Sequence, residues 1–138
     1  MQLRLKYPPT VENAPKLAAD MVASAAEISG VDLDYSVASL KAVDDIIEGM
    51  RQDGCTADQI GATLFGFGCY VGEVFVRHAG GQWRNTVATS MAKGAGFPLV
   101  VELGKESLCN PIGKVFKRLE NGEADSLPYF YQVFAARR

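Results

Sequence analysis

The sequence is poor in the residues that most often hold metals or carry out catalysis. It has one histidine, His78, and three cysteines, Cys55, Cys69 and Cys109, with no Cys-x-x-Cys pair. A histidine-based metal site is therefore nearly excluded, and the cysteines lack the spacing of zinc ligands. Phosphate-binding loops, dinucleotide-binding glycine motifs and Gly-x-Ser-x-Gly elbows are absent as well. We therefore expect no metal, no cofactor and no catalytic residues.

Excess charge and long hydrophobic segments are also lacking. The 138 residues carry a formal net charge of −2, which gives no reason to expect binding to nucleic acid. The first residues show no signal-peptide pattern, and glycines and Glu73 interrupt the apolar run 64–76, so no membrane-spanning segment is expected. Together with an odd number of cysteines, these features predict a soluble single domain, residues 1–138, in the cytoplasm.

The first half of the sequence is dominated by helical periodicity. Pro8-Pro9 cannot continue a helix, so residues 1–10 are expected to form an extended arm. Apolar residues at helical spacing, bounded by capping residues and glycines, predict three helices, over about 13–30, 36–53 and 56–78.

Beyond Trp83 the pattern changes. Thr86–Thr89 is rich in β-branched residues and Phe97–Leu103 is a continuous apolar run, so we expect an antiparallel hairpin. Asn110-Pro111 predicts the start of a fourth helix, and the residues after Ser126 form either a short helix or a strand. The order predicts an α+β fold, a mainly helical single domain with a small antiparallel hairpin or sheet between the third and fourth helices.

The third helix contains a candidate polar cluster. Glu73 lies among apolar residues, where an isolated charge is costly, and it shares a helix face with Tyr70 and Arg77. The double glycine that follows lets Trp83 fold back toward Glu73, and Arg84 is next in sequence. The cluster either ties the helix end to the following loop, or lines a pocket in which Glu73 acts as a general base or holds a cationic ligand.

Three glycines, Gly61, Gly68 and Gly72, recur at intervals that place them on one side of the same helix. Because a glycine costs about 1 kcal/mol relative to alanine inside a helix, three on one face predict the close approach of another backbone. That backbone belongs either to the second helix or the hairpin of the same chain, or to a second copy in a homodimer.

A second polar patch lies on the predicted fourth helix, where Lys114, Lys117 and Arg118 cluster. Such clusters usually form the solvated face of an amphipathic helix. The alternative is a surface that binds a protein partner. The sequence leaves both interpretations open.

Two segments resemble a known family, GCYVGEVFVRHAGGQW (68–83) and NPIGKVFKRLENGEADSL (110–127). They are similar to an uncharacterised family of small bacterial proteins that share a Tyr-x-Gly-Glu-Val helix, a Gly-Gly-x-Trp turn and a Lys-Arg-Leu-x-Asn-Gly segment. The resemblance implies a bacterial cytoplasmic α+β domain and carries over no activity.

With no catalytic constellation in a complete small fold, the sequence favours a non-enzymatic bacterial protein that acts through protein–protein interaction, such as an immunity or regulatory partner. The alternative is a small-molecule binding protein or enzyme with a pocket around Glu73.

Overall fold

The structure is a computed structural model that describes residues 4–105 and 107–136. Its five α-helices are α1 (Ala14–Ser29), α2 (Leu40–Gln52), α3 (Ala57–Ala79), α4 (Pro111–Asn121) and α5 (Leu127–Ala135). Three strands, β1 (Gln82–Asn85), β2 (Leu99–Leu103) and β3 (Ser107–Cys109), lie between α3 and α4. They form one antiparallel sheet in the order β1-β2-β3. The predicted α+β class and the single mainly helical domain are confirmed.

Several helix ends follow local signals in the sequence. The Thr56 side chain accepts the backbone N–H of Gln59, while the Gln59 side chain accepts that of Thr56, which is a capping box. The Asn110 side chain accepts the N–H of Gly113 at 2.9 Å and so starts α4. At the end of α1, Gly30 takes a φ of 63°, in the left-handed region that glycine adopts easily.

The β region differs in part from the prediction. Thr86–Ala88 forms a 3-10 turn instead of a strand, and the strand lies just before it, in β1. β-branched residues favour an extended backbone where a neighbouring strand pairs with them, and the pairing of β1 with β2 ends at Asn85. The strand β3 was not predicted. The segment after Ser126 is helical, which is one of its two predicted alternatives.

The structure describes the expected N-terminal arm only from residue 4 onward. Residues 4–10 contain no helix or strand. Residues 1–3 of the predicted arm lie outside the described residues.

The core is built around α3, whose residues 64–75 are all buried. α1 and α4 pack against it along much of its length. By length and composition alone α3 is a candidate membrane span, but 72% of its apolar window is buried inside the protein.

Close packing explains two glycines of α3. A Cβ atom on Gly68 would lie 2.5 Å from the Cα of Ile112 in α4, and one on Gly72 would lie 2.2 Å from the ring of Trp83 in β1. The close approach predicted for this face is therefore made within the chain, by the sheet and by α4 instead of α2. A homodimer built on this face would have to displace both neighbours.

Candidate functional site

Glu73 lies deep in α3, with its side chain 7% exposed. The left-handed Gly80, at a φ of 71°, ends α3, and the chain returns along it as β1. This return places Trp83 against Glu73, and the indole Nε1–H donates to Oε2 at 2.9 Å. Arg77 is a more distant partner, since its Nε lies 4.0 Å from Oε1. The indole is therefore the main donor to the buried carboxylate.

Arg77 and Tyr70 meet through a residue that the sequence analysis missed, Tyr35. The Arg77 guanidinium lies 3.5 Å from the centroid of the Tyr35 ring, which stacks on the Tyr70 ring at 4.9 Å. The Tyr70 hydroxyl accepts the backbone N–H of Tyr35 and shares a hydrogen bond with Ser39. Tyr35 has a φ of 64°, which is uncommon for a bulky side chain. The connection between α1 and α2 is thereby fixed onto α3.

The two tyrosines are neutral hydrogen-bonding groups. Burial raises the pKa of Tyr70 and that of Tyr35 above their ordinary value. Both phenols therefore stay protonated near neutral pH, so that the Tyr70 hydroxyl retains its proton for its hydrogen bonds.

Arg84 is not part of this cluster. It pairs with Glu102 on β2, with an N–O distance of 3.2 Å. Successive side chains of a strand point to opposite faces of the sheet. Since Trp83 points into the core, Arg84 points to the other face, and its predicted place beside Glu73 is corrected accordingly.

The geometry around Glu73 supports the structural interpretation of the cluster. Both carboxylate oxygens face donors: Oε2 faces the indole of Trp83 in β1, and Oε1 faces the more distant Arg77, one turn further along α3 itself. Three surface cavities formed by the described residues have volumes of about 360, 510 and 160 Å³, and Glu73 lines none of them. The carboxylate is placed to hold the sheet against α3.

Arg118 was expected on an exposed face of α4, and that expectation is wrong. The residue is 1% exposed. Its Nε and Nη2 donate to the two carboxylate oxygens of Asp44, and its Nη1 donates to Glu48 at 2.8 Å. Asp44 also accepts the backbone N–H of Leu127 at 3.0 Å. This network joins α2, α4 and the start of α5, as a buried guanidinium requires paired carboxylates.

The other two basic residues of the predicted partner surface differ from each other. Lys114 is half-buried, and its Nζ lies 2.6 Å from a carboxylate oxygen of Asp125. This ion pair lowers the pKa of Asp125. Lys117 is exposed and forms no hydrogen bond or ion pair with any residue that the structure describes. Of the three, only Lys117 is exposed.

Lys117 stands at the rim of the 510 Å³ cavity, which we call the α4–α5 groove. Its apolar lining includes four phenylalanines, Phe97, Phe116, Phe130 and Phe134. Lys114 and Glu120 line it as well. Ligand pockets commonly have volumes of about 300–1,000 Å³ and combine apolar walls with few polar groups, as this groove does.

The other two cavities have fewer of the features of a binding site. One lies between the N-terminal segment, α1 and α3 and includes charged residues of both signs, Lys6 and Asp20 among them. The smallest, between α1, α2 and α3, is largely apolar and is bordered by the exposed Ile28. Across residues 4–105 and 107–136, no three His, Cys, Asp or Glu side chains are grouped to hold a metal ion.

Comparison with known proteins gives one family. The model of a "Family of unknown function (DUF6278)" matches residues 11–106, which is more than half of the chain. The matched range contains Glu73 and Trp83 and ends before α4, so Arg118 lies outside it. No curated protein and no solved structure is significantly similar to the chain.

Proposed function

The chain belongs to the family of unknown function DUF6278, and we propose from its geometry that it is a non-enzymatic protein that binds a partner protein through the α4–α5 groove. An immunity protein or a regulatory subunit would act in this way. A bacterial, cytoplasmic setting is part of the proposal, and three unpaired cysteines are consistent with it.

The observation that carries the proposal is the coincidence of two features on one surface. The groove exposes a cavity walled by aromatic rings, and large apolar clefts on a protein surface are typical of binding sites. The rim holds Lys117, a cation without an ion-pair partner among the described residues. Aromatic anchors surrounded by polar groups are typical of the energetic centres of protein interfaces.

Filling the groove tests the proposal. Gly94 borders it, its φ lies outside the left-handed region, and a Cβ atom built there meets nothing within 4 Å. Gly94→Trp should therefore place a bulky side chain at the border of the groove, where it hinders access, without straining the backbone. Gly49 in α2 has equally open surroundings and lies outside the groove, so Gly49→Trp is the matched control.

Short random peptides displayed on phage are selected on the full chain, and the enriched peptides are then synthesised and titrated by fluorescence polarisation. We expect Gly94→Trp to weaken their binding by about tenfold or more, which corresponds to about 1.4 kcal/mol, while Gly49→Trp leaves it unchanged. Circular dichroism of both variants verifies that they are folded. Equal binding by the two variants, or no enriched peptide at all, would overturn the proposal.

The non-enzymatic part has its own test. Robust turnover in a panel of hydrolase substrates, lost in Glu73→Gln at unchanged fold, would overturn it. We expect no turnover by the wild-type protein or by Glu73→Gln.

A further inference from the structure

We infer that the α4–α5 groove recognises an acidic segment of its partner, in which a carboxylate lies next to an aromatic or aliphatic side chain. This inference rests on the proposed function and adds the chemical class of the ligand.

The first argument is the charge that the chain leaves unpaired. Lys114 and Lys117 are three residues apart on α4 and therefore lie on the same side of the helix. The charge of Lys114 is already balanced by Asp125, and its Nζ lies 5.6 Å from the ring of Phe130. Lys117 has no such carboxylate among the described residues. Lys117 therefore offers a ligand a cation at this rim, whereas Glu120 offers an anion about one turn further along α4, so that a carboxylate of the ligand is favoured on the Lys117 side of the groove.

The second argument concerns the apolar part of the ligand. Phe97 and Phe116 lie 4.8 Å apart between ring centroids, and Phe130 and Phe134 lie 5.0 Å apart. Two pairs of rings in one groove suit a flat or branched apolar side chain, which gains free energy from burial. An exposed ion pair contributes little by itself, so the apolar anchor has to supply most of the affinity and the carboxylate most of the selectivity.

The third argument is the position of Glu120. It follows Lys117 by three residues on α4, about 4.5 Å further along the helix axis. A ligand with acids along its whole length would face repulsion there. The groove therefore favours a single carboxylate beside the anchor over a polyanion. This also disfavours nucleic acid, whose binding requires several cations along the backbone.

Charge reversal separates this inference from the proposed function. The peptide library is selected in parallel on the wild-type chain, on Lys117→Glu and on Lys16→Glu. Lys16 lies in α1, outside the groove, and its reversal changes the net charge equally. We expect wild type and Lys16→Glu to enrich peptides with Asp or Glu next to an apolar residue, and Lys117→Glu to enrich Lys or Arg at that position.

An enriched acidic peptide and its lysine-substituted form are then titrated. Lys117→Glu should bind the acidic peptide about tenfold or more weakly than the wild type does, and it should bind the lysine-substituted peptide more tightly. Binding of the acidic form should also weaken at high salt. Peptides that depend on the groove, as shown by Gly94→Trp, but carry no acidic preference would overturn the inference and leave the proposed function standing. Enrichment of polyacidic peptides, or equal affinity for Lys117→Glu, would overturn it as well.

Discussion

Arg118→Met is the most direct perturbation of the buried ionic network. The substitution removes the three N–H···O contacts to Asp44 and Glu48 and keeps most of the aliphatic side chain. Asp44 is 4% exposed and would remain without its cation, although it keeps the N–H of Leu127. Removing one partner of a buried ion pair typically costs about 3–5 kcal/mol. We expect about 3 kcal/mol here, because one donor to Asp44 remains.

Urea unfolding followed by far-UV circular dichroism measures this loss. With a slope of about 2 kcal/mol/M, a loss of about 3 kcal/mol lowers the midpoint by about 1.5 M. Arg51→Met is the control, since Arg51 pairs with the same Glu48 at 3.3 Å but has a 42% exposed side chain. Exposed pairs contribute little, so its midpoint should hardly change. A shift no larger for Arg118→Met than for Arg51→Met would refute this assignment of stability to the buried network.

Three further predictions concern pH, packing and thiol reactivity. Hydrogen bonding from Arg118 lowers the pKa of Glu48 from 4.5 to about 2. Its carboxylate therefore stabilises the fold above about pH 4.5, and that contribution is lost as the pH falls to about 2. The unfolding free energy, measured by urea titration at several pH values, should fall less steeply with decreasing pH in Glu48→Gln than in the wild type. The same dependence on pH in both proteins would count against the prediction. Gly72→Ala should lower the thermal midpoint because its Cβ would collide with Trp83, whereas Gly49→Ala, with open surroundings, should stabilise by about 1 kcal/mol. Loss of stability in both would contradict this explanation. Finally, Ellman's reagent should modify only the half-buried Cys55 in the native protein, because the other two thiols are buried and burial raises the pKa of Cys69 to about 12. Fast reaction of all three thiols without denaturant would disprove the prediction that only Cys55 reacts.

The first four helices could be predicted because their signals are local, whereas the segment of α5 was left as either a helix or a strand. A capping box such as Thr56–Gln59 or a cap such as Asn110 involves residues three positions apart, so the sequence contains the whole interaction. The strand β3 has three residues and is defined by its pairing with β2. A segment that short has no periodicity of its own, so its strand character depends on a neighbour that local patterns do not identify.

The polar clusters also differ in whether their contacts join residues that are near or far apart in the sequence. Trp83 and Glu73 are ten residues apart with a glycine break between them, so their contact could be anticipated. Tyr35 and Tyr70 are 35 residues apart, and Arg118 and Asp44 are 74 apart. Helical periodicity assigns charged residues to a polar face but does not tell whether that face meets water or another charged helix. For this reason the sequence placed Arg118 on the surface.

Two single substitutions should affect stability and peptide binding independently of each other. The Glu73 carboxylate has donors inside the chain, so Glu73→Gln should lower the unfolding free energy without changing peptide affinity. Lys117 is exposed and contacts no carboxylate among the described residues, so Lys117→Glu should change affinity at nearly constant stability. Urea unfolding and peptide titration of both variants measure the two effects side by side. If Glu73→Gln abolished peptide binding in a folded protein, peptide recognition would depend on Glu73 and not on Lys117 at the rim of the groove.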